Sequence, residues 1–464
     1  MNGAPGGATG VLGYTFGPRY DLPLQLATFQ WAGAAVVGLS FIFMIYFASQ
    51  RTGPAAVRYP RREVAALGWL PGASWLQGIF GVVGLIGLLI VVVTGLFGPT
   101  NPDRNLSVYL IWVYFWAGTA VLTGLVGPLW DAINPFRVID RLWSRVRGRA
   151  APASELDRLS RYGIWPAVVL FFIFALFEVT GVTTAKPWLM ALVAIAYTAL
   201  TVAGMQAFGA RSWLTHVEFF TVLFGILRRF APIDVRDGKV YLRPFGAGLL
   251  DKTDTGWDWV FFVILMLSTL AFDAILSTSV WARIESMLRP WWSPFGFTAG
   301  RHLLMGVGFI ALTGIFLAAF VICMELVIYF GSINVDGLST ATIFALTLVP
   351  IAWVYNAAHN YANLVVQSQA VIPLLADPLG RGWHLLPTVG YQPSMWLASA
   401  WLVWYLEVVL IISGHVIAMY LAHLRAGERF YTAQGVLLSQ YPILVLMVVY
   451  TMVSLWILAQ PITH

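Results

Sequence analysis

Five side chains that can donate or accept hydrogen bonds punctuate one long apolar run: Asn356, His359, Asn360, Asn363 and Gln367. Positions 356, 360, 363 and 367 recur at i, i+4, i+7 and i+11, with His359 one turn from Asn356 and Asn363, so a helix gathers them on one stripe. Facing lipid, such a stripe is costly. It must face another helix, water, an ion or a substrate. The amides of Asn356, Asn360, Asn363 and Gln367 are the candidate substrate-binding groups, and interhelical hydrogen bonding is the competing explanation.

Ionisable residues recur in other apolar runs. Thr269, Asp273 and Ser277 follow at i, i+4 and i+8, giving one helix a polar edge. Glu407 and His415 share a later run, with His423 near its end; Glu178 and Glu325 are single acids in two more. A carboxylate at membrane depth costs about 2.5–3.5 kcal/mol on insertion scales, so it is rarely idle. The runs carrying His359 and Glu407 are joined by a short loop and are expected to be neighbours. His359, Glu407 and His415 would then face one cavity, with Asp273 entering from the outer side; these four are the candidate catalytic set. Two imidazoles and a carboxylate suffice chemically for a divalent metal, which would supply an activated water. The separations of 48 residues (359 to 407) and 8 (407 to 415) match no metal motif. Haem ligation by His359 and His415 is a minor alternative.

These residues must be positioned by membrane helices. Hydrophobic residues make up 59% of the 464-residue chain and charged residues only 10%, which excludes an ordinary soluble protein. Apolar runs long enough to cross a hydrocarbon core of about 30 Å recur along the chain. We read ten: 25–49, 76–98, 107–130, 162–182, 187–208, 257–280, 302–330, 340–371, 396–424 and 438–460. Continuous runs exclude the alternating pattern of a membrane barrel. The expected fold is all-α: a polytopic transmembrane helical bundle, with a basic-ended apolar segment at 212–230 as an eleventh, surface-lying element. A single transmembrane domain spans 25–460, flanked by tails at 1–24 and 461–464. The first tail is Gly-rich with its first positive charge at Arg19, unlike a secretory signal.

The charge pattern supports the span count. Loops 50–75, 131–161, 209–256 and 425–437 hold 20 of the 27 Lys and Arg residues, alternating with poorly charged loops. The positive-inside rule then places those loops in the cytoplasm and both termini outside, in the periplasm or cell exterior. Arg137, Arg141, Arg145, Arg147 and Arg149 serve that topology and touch anionic lipid, and no nucleic-acid partner is expected. The single Cys323 excludes an intrachain disulfide. No phosphate-binding glycine loop or serine nucleophile elbow is present.

Two loops have further character. Asp234 to Arg243 turns at Asp237-Gly238 and predicts a short hairpin. Asn134-Pro135 ends a helix, where Asp131 either pairs with Arg137 or forms a gate or docking corner. The aromatic segment Trp281 to Phe297 suits the headgroup belt.

Several motifs run together in one order: Gly98-Pro99, Trp112-Val113-Tyr114-Phe115-Trp116, Gly127-Pro128-Leu129-Trp130 and Asn134-Pro135-Phe136-Arg137. They continue through Leu242-Arg243-Pro244, Phe272-Asp273, Asp377-Pro378-Leu379-Gly380-Arg381-Gly382-Trp383, Ser439-Gln440-Tyr441-Pro442, Leu455-Trp456 and Ala459-Gln460-Pro461. In this order the chain resembles the fenitrothion hydrolase-like family of bacterial polytopic inner-membrane proteins. The resemblance implies hydrolysis of a lipophilic phosphotriester, or membership of a multi-subunit membrane complex that performs it; it assigns no catalytic residue. The hydrolase reading therefore stands first. A transporter of a small solute or ion, or a non-catalytic subunit beside a second membrane subunit, are the alternatives.

Overall fold

A computed structural model describes residues 26–48, 59–69, 74–147, 159–183, 186–252, 256–331, 336–388, 391–430 and 432–458. The predicted tails at 1–24 and 461–464 lie outside the described residues. Helices dominate: α1 (Leu26–Ala48), α2 (Ser74–Phe97), α3 (Leu106–Val126), α4 (Leu129–Ile133), α5 (Pro135–Arg147), α6 (Trp165–Thr180), α7 (Pro187–Phe208) and α8 (Ala210–His216) come first. There follow α9 (Phe219–Phe230), α10 (Trp257–Leu276), α11 (Ser279–Trp292), α12 (Phe297–Gly331), α13 (Gly337–Leu346), α14 (Val349–Ala376), α15 (Ala400–Arg429) and α16 (Ala433–Leu458).

Nine of the ten predicted spans each fall on one helix, and the eighth, 340–371, falls on two. Eight of the described spans are long and apolar enough to cross a membrane, α13 and α14 counting as one. Of the other two, α1 runs for 23 residues, and α6 has 16, about 24 Å of helix at 1.5 Å per residue. Val83, Ile86, Ile310, Ile315 and Val445 are exposed on the outside of the bundle, where only lipid makes such apolar surface stable. The protein is an integral, multi-pass membrane protein.

At the centre stand α10, α13 and the first half of α14, most of whose residues are buried. The predicted eighth span is in fact two helices, parted at Thr347-Leu348, where the Thr347 hydroxyl donates to Phe344 O at 2.7 Å. α14 runs antiparallel to α15, since Val354 packs on Gly414 while Tyr361 Oη donates to Leu397 O at 3.1 Å. A Cβ on Gly414 would lie 2.1 Å from Val354, so the missing side chain is what lets the two helices meet. α1 packs against α15 and α16, bringing early and late segments together.

The third span differs from expectation. Its middle, Leu110–Gly118, is π-helical, and it stops at Gly127 (φ 90°) rather than 130, because Gly127-Pro128 cannot continue a helix. The segment predicted to lie on the surface is also different. α9 buries Phe219, Phe220, Leu223, Phe224 and Leu227 inside the bundle, with Phe115 and Phe220 edge-on at 4.6 Å. Its N-terminus is capped by the fully buried Glu218, whose carboxylate accepts from Thr221 N (2.8 Å), Phe220 N (3.1 Å) and Tyr197 Oη (2.6 Å).

The basic loops gather at one end of the bundle. The predicted hairpin forms from β2 (Ile233–Arg236) and β3 (Lys239–Leu242), turning with positive φ at Asp237 (49°) and Gly238 (72°). Its outer edge takes an unforeseen strand, β1 (Arg62–Glu63), antiparallel to β3. Arg61 pairs with Asp251 at 2.7 Å, Arg228 with Asp131, and Arg425 donates to Leu249 O at 3.0 Å. Alternate loops thus share one face, as the charge count demanded.

Candidate functional site

α14 places Tyr355, Asn356 and His359 on its buried face, and packing against α10 brings them to Asp273. His359 Nε2 donates to Asp273 Oδ2 at 2.9 Å. The imidazole side chain is 9% exposed and the carboxylate 43%, so the acid is the open side of the pair. The Tyr355 ring stacks on the imidazole at 6.1 Å and fixes its plane.

Two more carboxylates attend this pair. Glu178, near the end of α6, accepts a hydrogen bond from Trp116 Nε1 and lies close enough to Asp273 for direct charge interaction. Glu407 on α15 and Asp273 both act electrostatically on Tyr355. Acids from α6, α10 and α15 therefore lie in the neighbourhood of one imidazole.

Several buried polar atoms of the set have no hydrogen-bond partner among the described residues: Glu178 Oε2, Asn356 Nδ2 and Tyr355 Oη. Such atoms are expensive unless water or a ligand meets them. Two small cavities adjoin them. One of about 30 Å³ is lined by Asn356, Thr269 and Trp116, and one of about 70 Å³ by Tyr355, Tyr450 and Ser454. At about 30 Å³ per water, these have room for one and two waters respectively. Tyr450 Oη, in the second cavity, is likewise unpartnered among the described residues.

The amide stripe is divided. Asn356 is buried, and its Oδ1 accepts from Asn360 Nδ2 at 3.1 Å, so these two are partly joined to each other. Asn363 and Gln367 are half-buried, one and two turns beyond. Gln369, not singled out in the sequence, is the amide that anchors the following loop. Its Oε1 accepts from Ser394 N (2.8 Å) and Tyr391 Oη (3.2 Å).

The proposed metal set is not assembled. Among the described residues no three His, Cys, Asp or Glu side chains converge in a group that could hold a metal. Glu407 and His415 are eight residues apart on one helix, about 12 Å along its axis. His415 Nδ1 instead donates to Ile411 O of its own helix at 2.8 Å, and the ring is fully buried beside the Gly414–Val354 contact. His415 thus stands apart from the His359–Asp273 pair.

Sequence reasoning noted Glu178 only as a lone acid and passed over Tyr355 and Trp116 as site residues. Tyr355 had a signal, lying one turn before His359. Trp116 and Glu178 are 62 residues apart and meet only through helix packing. Compared with models of protein families, with curated proteins and with solved structures, the chain matches none.

Proposed function

We propose that this protein is a proton-coupled permease for a small polar solute or ion, with the Asp273–His359 pair as its proton-exchanging centre. The single observation carrying this reading is the 2.9 Å contact between the two groups, on separate central helices within the apolar bundle. Ionisable groups at such depth mark proton or ion pathways far more often than scaffolding. Protonation changes what holds α10 to α14, which is how a proton can bias one helix arrangement over another. The adjoining cavities are walled mainly by apolar side chains, and their 30 and 70 Å³ are far below the roughly 300–1,000 Å³ of drug-sized ligand sites. The loop charges support an inner-membrane location with the basic end in the cytoplasm.

The test uses purified protein in vesicles loaded with a pH dye and challenged in turn with inorganic anions, amino acids and organic acids. Solute-dependent proton uptake, lost in Asp273→Asn and His359→Gln, is expected. Proton movement identical in wild type and both variants, or none for any solute, rejects the reading.

A second reading, a phosphotriester hydrolase or a subunit of one, is favoured by the same geometry in another role. A carboxylate that orients an imidazole is the arrangement of a general base. His359 would take a proton from water as its oxygen attacks phosphorus and a phenolate leaves, with the ester reaching the site from the open side of Asp273. The sequence resemblance points the same way. Purified protein that releases no nitrophenolate from a nitrophenyl phosphotriester, alone or with membrane extract supplying a second subunit, removes this reading.

A further inference from the structure

A roomier concavity than those two lies away from the pair, at the basic end. It holds about 610 Å³, within the usual range for ligand sites, and five separate parts of the chain build it. Asp131 and Arg137 come from the corner after α3, His216 from α8, Arg228 and Arg229 from the last turn of α9, and Trp259 from the start of α10.

Two of its guanidinium groups share one carboxylate. Arg137 pairs with Asp131 at 2.7 Å and Arg228 holds the other oxygen of the same carboxylate, so one anion serves two guanidinium groups. Arg229 lies over the Trp259 ring, 5.5 Å from its centroid. The remaining acid, Asp258, is engaged elsewhere: its oxygens accept Ile164 N at 2.7 Å and Trp259 N at 3.0 Å. Arg137 Nε is buried and has no partner among the described residues.

The arginines are also braced. The buried Arg243 donates to the carbonyls of Arg228 (2.9 Å), Arg229 (3.3 Å) and Ala231 (3.0 Å), fixing the turn that carries two of the cations. A solvated basic face is convex and its side chains spread apart; here three guanidinium groups border one hollow. Planar guanidinium forks match phosphate oxygens. The hollow also sits where apolar helices give way to basic loops, the depth of lipid phosphates.

We infer that this pocket binds a phosphate group, delivered either by an anionic phospholipid or as a free phosphate. The inference does not depend on the transport reading. Full-length protein in neutral detergent is titrated with dihexanoyl-phosphatidylglycerol, dihexanoylglycerol and inorganic phosphate, reading unfolding temperature and bound mass. The phosphatidyl lipid or phosphate should bind and raise the unfolding temperature, and Arg228→Gln should weaken binding by roughly tenfold or more. Arg145→Gln, on the exposed face of α5, should leave it unchanged. Lipid binding that phosphate does not displace assigns the lipid source, and displacement by phosphate assigns the free anion. If Arg228→Gln fails to fold, Arg229→Lys, which keeps the charge and loses the fork, replaces it and should weaken binding. No binding, equal stabilisation by dihexanoylglycerol, or undiminished binding in every folded pocket variant overturns the assignment.

Discussion

His359 and Asp273 stand 86 residues apart in sequence, and an imidazole nitrogen of one touches a carboxylate oxygen of the other at 2.9 Å across the α10–α14 contact. The pair joins a buried group to an accessible one. Its energy is therefore below that of a fully buried ion pair, whose disruption costs about 3–5 kcal/mol. We expect His359→Leu to lower unfolding stability in detergent by about 1–3 kcal/mol. Asp273→Asn should cost less, because the amide oxygen still accepts. The double variant should show a coupling energy of about 0.5–1 kcal/mol or more; additive losses would mean the contact does not form.

His415 gives the opposite expectation. Its Nε2 is buried without a partner among the described residues, and its Nδ1 is turned to Ile411 O of its own helix. Replacing the ring by leucine removes an unmet polar atom, so stability should change by no more than about 1 kcal/mol in either direction. Proton uptake in vesicles should persist. Loss of uptake with normal folding would return His415 to the site.

At Gly414 the prediction is steric. A Cβ there would lie 2.1 Å from Val354, inside a contact between two well-packed helices. Gly414→Val should destabilise by about 1–3 kcal/mol through overpacking. Adding Val354→Ala should recover part of that loss, as read by thermal unfolding of the double variant.

In the loop after α14, Asp377 titrates with a definite sign. Desolvation, the largest single influence, raises its pKa, but the backbone N–H groups of Arg381, Gly382 and Trp383 together outweigh it and hold the carboxyl below its ordinary value. Two of these bonds measure 2.8 Å. A depressed folded-state pKa means the contribution is complete above the unfolded value, about 3.9, and is lost as pH falls through the folded one. Hydrogen-exchange protection at Arg381 and Gly382 should hold from neutral pH to about 5 and fall only in stronger acid. Asp377→Asn should reduce it at every pH, and unchanged protection in that variant would refute the account.

Much of the framework was readable in sequence because lipid imposes a one-dimensional rule. Runs such as 187–208 and 257–280 announce themselves by length, and the basic loops alternate because they share one end. The meeting of Asp273 with His359 was also foreseeable, since each is an expensive group that needs a polar neighbour. The expected convergence of His415 with Glu407 does not occur, because eight residues of one helix set them about 12 Å apart. The break at Thr347-Leu348, the π-helical stretch of α3 and the pairing of Arg62–Glu63 with β3 left no periodic trace. Each depends on what packs beside it. The burial of α9 reversed its expected place because Glu218 satisfies its first amides internally, so the helix needs no contact with the water interface.

The closeness of α1 and α16 has a consequence for biogenesis. Gln30 Nε2 donates to Met452 O at 3.4 Å, yet 422 residues of synthesis separate them. At about 5–20 residues per second, that interval lasts roughly 20–80 s. Throughout it the Gly33 notch, filled in the finished protein by Leu455, faces acyl chains or an insertion chaperone. A ribosome that halts before α16 leaves that helix an orphan, and membrane quality control would have an unsealed groove to detect.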